Sequence, residues 1–236
     1  MEYVHIFSVD NVLIKVCDPL FVGYTAREKA DMASKVVAKT TWSESIGVIG
    51  LRGALPCVLE YSEIPPEMAK SVNEQGDLAF NAGNILNHIF TTKLLKRLTG
   101  ECLEELQMQY HLAIKKVPYI KDGTLVKPTQ PNALKFELFY FDAFRFAQKH
   151  AVLEIVREEE FAPVKNAPGE FVDSPDSARK LMSELHARWL IDAGAILSDE
   201  YGHDRVCEIS PLISYSGEGL EAFKKQRLIF PIYIYY

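Results

Sequence analysis

The sequence predicts an α/β protein built on a mostly parallel or mixed sheet. Short runs of β-branched and aromatic residues alternate with segments of helical period, which is the pattern of strands interleaved with helices. Hydrophobic residues make up 48% of the 236 positions and charged residues 25%, so the chain is of ordinary globular composition rather than disordered or collagen-like. That length is long for one domain and short for two. A chain of this size buries roughly 70% of its unfolded surface, so its core needs no disulfide or metal staple.

The elements follow in order. Residues 3–9 alternate and are rich in β-formers, giving a buried strand that ends at Asp10-Asn11. Pro19 suits the first position of a helix reaching about Lys29. Residues 34–40, 46–49 and 57–61 read as three further strands, with Gly53 and Pro56 between the last two. Residues 84–91 read as another, running into a helix that Gly100 stops. Leu103, Leu106, Tyr110, Ala113 and Ile114 suggest a helix over 101–116. Phe136, Phe139, Tyr140, Ala143, Phe146 and Ala147 suggest a second amphipathic helix. Lys121-Asp122-Gly123 is a turn, and a proline-rich connection spans Pro128 to Pro131. A strand is expected at 151–156, followed by the acidic stretch 157–160. Ser174-Pro175 should cap a long helix to about Ala193, ended by Gly194. A late strand is expected at 206–215, and the apolar, aromatic tail 228–236 should form a sticky strand unless something covers it.

Composition excludes several classes. The formal charge of −6 opposes a general nucleic-acid or anionic-membrane surface. No run approaches 18 apolar residues, which excludes a transmembrane helix. The opening segment has no basic n-region and no cleavage site, so it does not read as a signal peptide; it reads as a strand from the middle of something longer. Cys17, Cys57, Cys102 and Cys207 form neither a zinc pattern nor a dense disulfide framework. Reduced thiols in a cytoplasmic protein are the economical reading.

In α/β sheets ligands sit beyond the carboxyl ends of the strands, where this reading places Asp10 and residues 157–165. Asp10 has two readings there, a magnesium or ribose contact or a plain turn cap. Lys135 and Lys165 each follow a proline-containing loop, where a point charge could neutralise phosphate or simply be solvated. Asn81-Ala82-Gly83-Asn84 has two readings, a ligand-facing turn whose amides hydrogen-bond sugar hydroxyls or equally a plain turn. The six histidines show no metal-ligand spacing, and no nucleophile elbow, Walker loop or Gly-x-Gly-x-x-Gly motif is present.

Seven segments carry a more specific signal. They are Val4-His-Ile-Phe-Ser-Val-Asp10-Asn11; Glu60-Tyr61-Ser62-Glu63-Ile64; Phe80-Asn81-Ala82-Gly83-Asn84; Lys115-Lys116-Val117-Pro118-Tyr119; Pro131-Asn132-Ala133-Leu134-Lys135; Arg157 through Ala167; and Cys207 through Leu220. In this order they closely resemble the UDP-N-acetylglucosamine pyrophosphorylase family of eukaryotic UDP-sugar pyrophosphorylases. The resemblance implies a Rossmann-like mixed sheet of a nucleotide-sugar transferase. It also implies a uridylyltransferase that joins UTP and N-acetylglucosamine 1-phosphate into UDP-N-acetylglucosamine and pyrophosphate with Mg²⁺ (or Mn²⁺). By the same resemblance Asp10 holds the nucleotide and its metal, and Lys135 and Lys165 are the catalytic lysines, Lys135 toward the nucleotide and Lys165 toward the sugar phosphate. Gly47, Glu60, Tyr61 and Asn84 are implied as sugar contacts, and Phe139 and Phe141 as aromatic positions near the N-acetyl methyl.

The departures are equally specific. The family's glycine-rich loop, whose amides cradle the UTP phosphates, lies upstream of the Asp10 strand and is absent. Pro-Asn-Gly of the family is Pro131-Asn132-Ala133 here, the segment between Ala193 and Cys207 is shortened, and the tail after Gln226 loses the pattern. The chain therefore reads as the C-terminal half of such an enzyme. Residues 1–200 would be the C-terminal part of the catalytic domain and 201–236 the start of a small β region with an atypical tail. Two alternatives remain: a non-catalytic truncated product, or a UDP-sugar pyrophosphorylase of different sugar choice.

Overall fold

Six of the seven residues of Met32–Ala38 are buried, including Ser34 and Lys35, and only a strand covered on both faces can hide its side chains in that way. The computed structural model describes residues 1–106, 108, 110–199 and 205–235. In chain order the elements begin with β1 (Tyr3–Phe7), α1 (Pro19–Arg27), β2 (Met32–Ala38), β3 (Val48–Arg52), β4 (Leu55–Leu59), α2 (Pro66–Ala69) and β5 (Ala82–Thr91). Then come α3 (Thr92–Thr99), β6 (Tyr110–Lys115), β7 (Tyr119–Lys121), β8 (Thr124–Val126), β9 (Ala133–Leu138), a 3₁₀ turn (Tyr140–Phe146) and β10 (His150–Glu154). The remainder is α4 (Arg157–Glu160), α5 (Pro175–Asp192), β11 (Ile196–Ser198), β12 (Cys207–Ile209), a 3₁₀ turn (Glu221–Phe223), β13 (Arg227–Ile229) and β14 (Ile232–Ile234). No helix among the described residues is long and apolar enough to cross a membrane.

The chain divides into two compact units. The first comprises Met1–Ile6, Leu20–Asn84 and His88–Leu153; the second comprises Phe7–Pro19, Ile85–Asn87 and Glu154–Tyr236.

The first unit is organised on a six-stranded sheet in the order β10-β2-β5-β3-β4, with β1 also paired to β5. Helix α1 lays Phe21 against Ala30, Ala33, Ile89 and Ala151, so a helix of modest amphipathicity is held by one fully buried ring. Helix α3 is capped as its sequence requires: the Thr91 hydroxyl accepts from the Leu94 amide at 3.1 Å, and Gly100 follows the last turn. Strands β6 and β9 form an antiparallel pair, and β7 and β8 close a hairpin around Asp122 and Gly123, both at positive φ.

The second unit is built on α5. Ser174 and Ser177 form a reciprocal capping box, and Pro175 occupies the first helical position. Leu190 packs into a core with Cys207, Ile209, Leu220, Phe230 and Ile232, while Ala178 and Leu185 pack with Leu13 and Ala162.

Three expectations from the sequence are corrected. Residues 101–116 are not a helix: turns occupy 101–105, positions 107 and 109 lie outside the described residues, and β6 follows. Residues 136–147 are likewise the end of β9 and a 3₁₀ turn. Here Tyr110, Leu112 and Ile114 stand directly opposite Leu138, Phe136 and Leu134, so a period of two wins over the apparent helical period. The late strand at 206–215 shrinks to β12, and the tail forms β13 and β14, paired parallel with β11 and β12. Pairing and the burial of Phe230 and Ile232 cover what would otherwise be a bare sticky edge.

Candidate functional site

The register of β3 with its two neighbours assembles the first cluster. Val48 stands opposite Leu59 on β4 and opposite Gly83 on β5, so the residues next in line, Gly47, Glu60 and Asn84, meet at one end of the sheet. The Asn84 backbone N–H donates to the Gly47 carbonyl at 2.8 Å. A β-carbon on Gly47 would lie 2.8 Å from Glu60 Oε1 and 3.1 Å from Val58 Cγ1, so glycine is what lets the Glu60 carboxylate lie against the backbone. Gly83 is under a similar constraint, since a β-carbon there would lie 2.9 Å from the Val37 carbonyl. Asn84 is buried, Glu60 half-buried, and Tyr61 exposed at the start of the turn that follows. A carboxylate that accepts from hydroxyls, beside a buried amide that can donate and accept, suits a polyhydroxylated ligand.

A second group lies at the 3₁₀ turn of the same unit. Phe139 and Phe141 stack with ring centroids 4.7 Å apart and planes 20° from parallel. The expected helix over this stretch would put residues two apart on different faces; the two rings share one because Phe139 is extended backbone ahead of the turn rather than helix. Phe141 is buried and Phe139 half-buried. Lys135 sits within β9 opposite Ala113, exposed, with Nζ 2.6 Å from Glu137 Oε1. The sequence missed His111, whose ring lies between Glu63 and Asp142 and against Phe139.

The third group belongs to the second unit. Asp10 lies in a turn beyond β1 rather than at the strand's last residue, because β1 stops at Phe7. Its carbonyl accepts from the Val164 amide at 2.8 Å, which brings Asp10 beside Lys165 along the backbone. Asn11, also overlooked as a site-shaping residue, is buried. Its amide nitrogen donates to the Glu160 carbonyl at 2.7 Å and its oxygen accepts from the Ala162 amide at 2.8 Å. Lys165 is exposed, and its backbone amide donates to the Asp173 carbonyl. Among the described residues no three His, Cys, Asp or Glu side chains gather as a metal site. Asp10 as a lone, half-buried carboxylate fits only a cation that takes its remaining ligands from water and a ligand's phosphates, which is the habit of Mg²⁺.

The sequence-derived residues thus fall into a Gly47–Glu60–Asn84 cluster and a Phe139–Phe141 pair in one unit, and an Asp10–Lys165 pair in the other. The fold is the α/β mixed sheet of the nucleotide-sugar transferases: a crystal structure of the uridine diphosphate N-acetylglucosamine pyrophosphorylase from Trypanosoma brucei matches 94% of this chain and 45% of its own, at 32% identity and a TM-score of 0.75. The chain belongs to the UTP–glucose-1-phosphate uridylyltransferase family, whose model it matches over residues 1–228. It is 45% identical over 242 residues to the human UDP-N-acetylhexosamine pyrophosphorylase-like protein 1 and 41% identical over 228 residues to the UDP-N-acetylglucosamine pyrophosphorylase of Saccharomyces cerevisiae. Those alignments cover 96% and 95% of this chain, which spans about half the length of each relative, 47% and 46%.

Proposed function

We propose that the chain carries the sugar-binding part, and a portion of the nucleotide-binding part, of a uridylyltransferase that makes UDP-N-acetylglucosamine and pyrophosphate from UTP and N-acetylglucosamine 1-phosphate. The observation that carries the reading is the Gly47–Glu60–Asn84 cluster, a carboxylate and a buried amide fixed at one end of the sheet. Its polar pattern suits sugar hydroxyls and an acetamido group, and the stacked Phe139–Phe141 pair supplies an apolar surface for the acetyl methyl.

The chemistry needs no covalent enzyme intermediate. An oxygen of the sugar phosphate attacks the α-phosphorus of UTP; the bond from that phosphorus to the bridging β-oxygen breaks, and pyrophosphate leaves. Catalysis of such a displacement is positioning together with neutralisation of charge on the phosphoryl oxygens. Lys165 and Lys135 are the cations assigned to that work, Lys165 toward the sugar phosphate and Lys135 toward the nucleotide. Asp10 would hold Mg²⁺ (or Mn²⁺), which supplies charge neutralisation to the nucleotide phosphates when bound.

The test is calorimetric binding of N-acetylglucosamine 1-phosphate to the 236-residue chain, followed by pyrophosphate release in the presence of UTP and Mg²⁺. Binding weakened by Glu60→Gln and Asn84→Ala supports the assignment. Binding of glucose 1-phosphate as tight as that of the N-acetylated sugar would move the reading to a different UDP-sugar, and no binding of either would reject it.

A further inference from the structure

His111 joins three separately folded pieces of the first unit. Its Nδ1 lies 2.7 Å from Glu63 Oε1, and its Nε2 lies 3.2 and 3.3 Å from the two carboxylate oxygens of Asp142. A neutral imidazole has one N–H, so it can donate to only one of these carboxylates; the imidazolium donates to both. The ring packs against Phe139 at 4.7 Å between centroids with the planes tilted 42°, and Phe139 in turn stacks on Phe141. Glu63 belongs to the turn that follows β4, where its amide donates to the carbonyl of Glu60 at 2.9 Å. Asp142 belongs to the 3₁₀ turn that packs on β4 and carries Phe141, and His111 itself is on β6, the strand paired with the one that carries Lys135.

We infer that His111 is a positioning residue: its imidazolium, held at both nitrogens, sets the Glu60–Tyr61 turn at a fixed spacing from the Phe139–Phe141 wall. The inference rests on the sugar-binding reading above and adds the residue that ties the Glu60–Tyr61 turn to the Phe139–Phe141 pair. A stacked aromatic pair with one ring half-exposed has freedom to tilt, and an imidazolium lying on that ring while bonded at both ends removes it. His111 also lines a cavity of about 290 Å³ together with other groups. They are Arg52 from β3, Cys57 from β4, Tyr110 from β6 and Arg145 from the 3₁₀ turn, with Glu63 and Asp142 as the carboxylates on the histidine. Burial by itself would lower the His111 pKa; the hydrogen bonds and charges of Glu63 and Asp142 outweigh it and leave the pKa raised. The clamp is therefore intact below the ordinary histidine pKa and is lost as pH rises through the raised one.

The test uses the 236-residue chain and three variants, His111→Phe, His111→Gln and the double variant Glu63→Gln with Asp142→Asn. NMR titration of the histidine ring is expected to give a midpoint above the ordinary value of about 6.5 in the parent chain and a lower midpoint in the double variant. Calorimetry with N-acetylglucosamine 1-phosphate is expected to show affinity falling with pH in the parent. His111→Phe, which keeps a ring on Phe139 but has no N–H, should bind about tenfold more weakly at pH 6 and lose the pH dependence. His111→Gln, which can bond only one carboxylate firmly, should fall between them. Melting curves at each pH separate loss of positioning from loss of folding. A His111→Phe chain that binds with the parent's affinity and pH profile overturns the proposal, as does a parent ring that titrates at or below the ordinary value. A parent chain that shows the raised titration but binds no sugar phosphate rejects the sugar-binding reading while leaving the clamp established as a structural feature.

Discussion

Replacing Asn11 by alanine should cost the second unit about 3 kcal/mol, because the asparagine stands in for a missing stretch of backbone pairing. Asn11 bridges to Pro163, and a proline has no N–H to offer a neighbouring chain. The Asn11 side chain reaches past it, donating to the Glu160 carbonyl at 2.7 Å and accepting from the amides of Ala162 at 2.8 Å and Leu13 at 3.3 Å. Asn11 is only 4% exposed, so alanine leaves these groups with little water to turn to. An orphaned buried group costs roughly 1–3 kcal/mol, so the two short bonds alone put the sum at about 2–6 kcal/mol. That is a large share of a typical net stability of about 5–15 kcal/mol. Urea unfolding followed by Trp189 emission measures it, since Trp189 packs between the two cores of the second unit; a Trp42→Phe background removes the other indole. Asn11→Asp sharpens the test, because a carboxylate keeps the acceptor but loses the donor and faces the Glu160 carbonyl. It should be destabilised at neutral pH and partly rescued as acid protonates it. An Asn11→Ala chain within about 1 kcal/mol of its parent would refute the claim that this amide, rather than general packing, ties the turn at residue 11 to residues 160–162.

Three further outcomes are expected. Gly47→Ala should displace the Glu60 carboxylate, costing about 1–3 kcal/mol of stability through overpacking while weakening sugar-phosphate binding, and unchanged binding by calorimetry would detach Glu60 from the ligand. The first unit should lose stability between about pH 6.5 and pH 3: burial, aided by the charges of His150 and His5, pushes His88 down to about 3, and burial pushes His150 down to about 4, so the unfolded chain takes up more protons there. His88→Gln should flatten that acid profile in circular-dichroism melts, and an unaltered profile would assign the loss to other groups. Phe136→Glu should reduce hydrophobic-dye binding and light scattering with a stability change of no more than about 1 kcal/mol, because Phe136 lies on an exposed face; a core-sized loss would contradict the exposed ladder.

That ladder also shows where the sequence misled. Tyr110, Leu112 and Ile114 oppose Leu138, Phe136 and Leu134, and all six are exposed. The strict alternation was present in the sequence on both sides of the proline-rich connection. It was masked because Leu103, Leu106, Tyr110, Ala113 and Ile114 also satisfy a helical spacing, and because no core demands either pattern on an exposed hairpin. Elements whose ends carry their own chemistry were legible instead. Helix α5 begins at its serine box and proline, and α3 ends before its glycine, because caps are local interactions that need no knowledge of the rest of the fold.

The candidate site divides along the same line between local and distant information. Asp10, Asn84, Lys135 and Lys165 stood out by position and, with Glu60 and the two phenylalanines, took their roles from motif resemblance, which records residue identity without contacts. What the motifs did not reveal were the residues that act through others. Asn11 spans 149 positions to Glu160, and His111 spans 48 to Glu63 and 31 to Asp142, so neither has a neighbour in sequence that announces its role. A histidine between two acidic residues is unremarkable until the fold places both carboxylates at its two nitrogens. Once placed there, the pair of bonds turns a pH-neutral aromatic contact into a charged one. On the proposed sugar-binding reading, the Glu60–Tyr61 turn then becomes something that a fall in proton concentration loosens, through a histidine that touches no sugar itself.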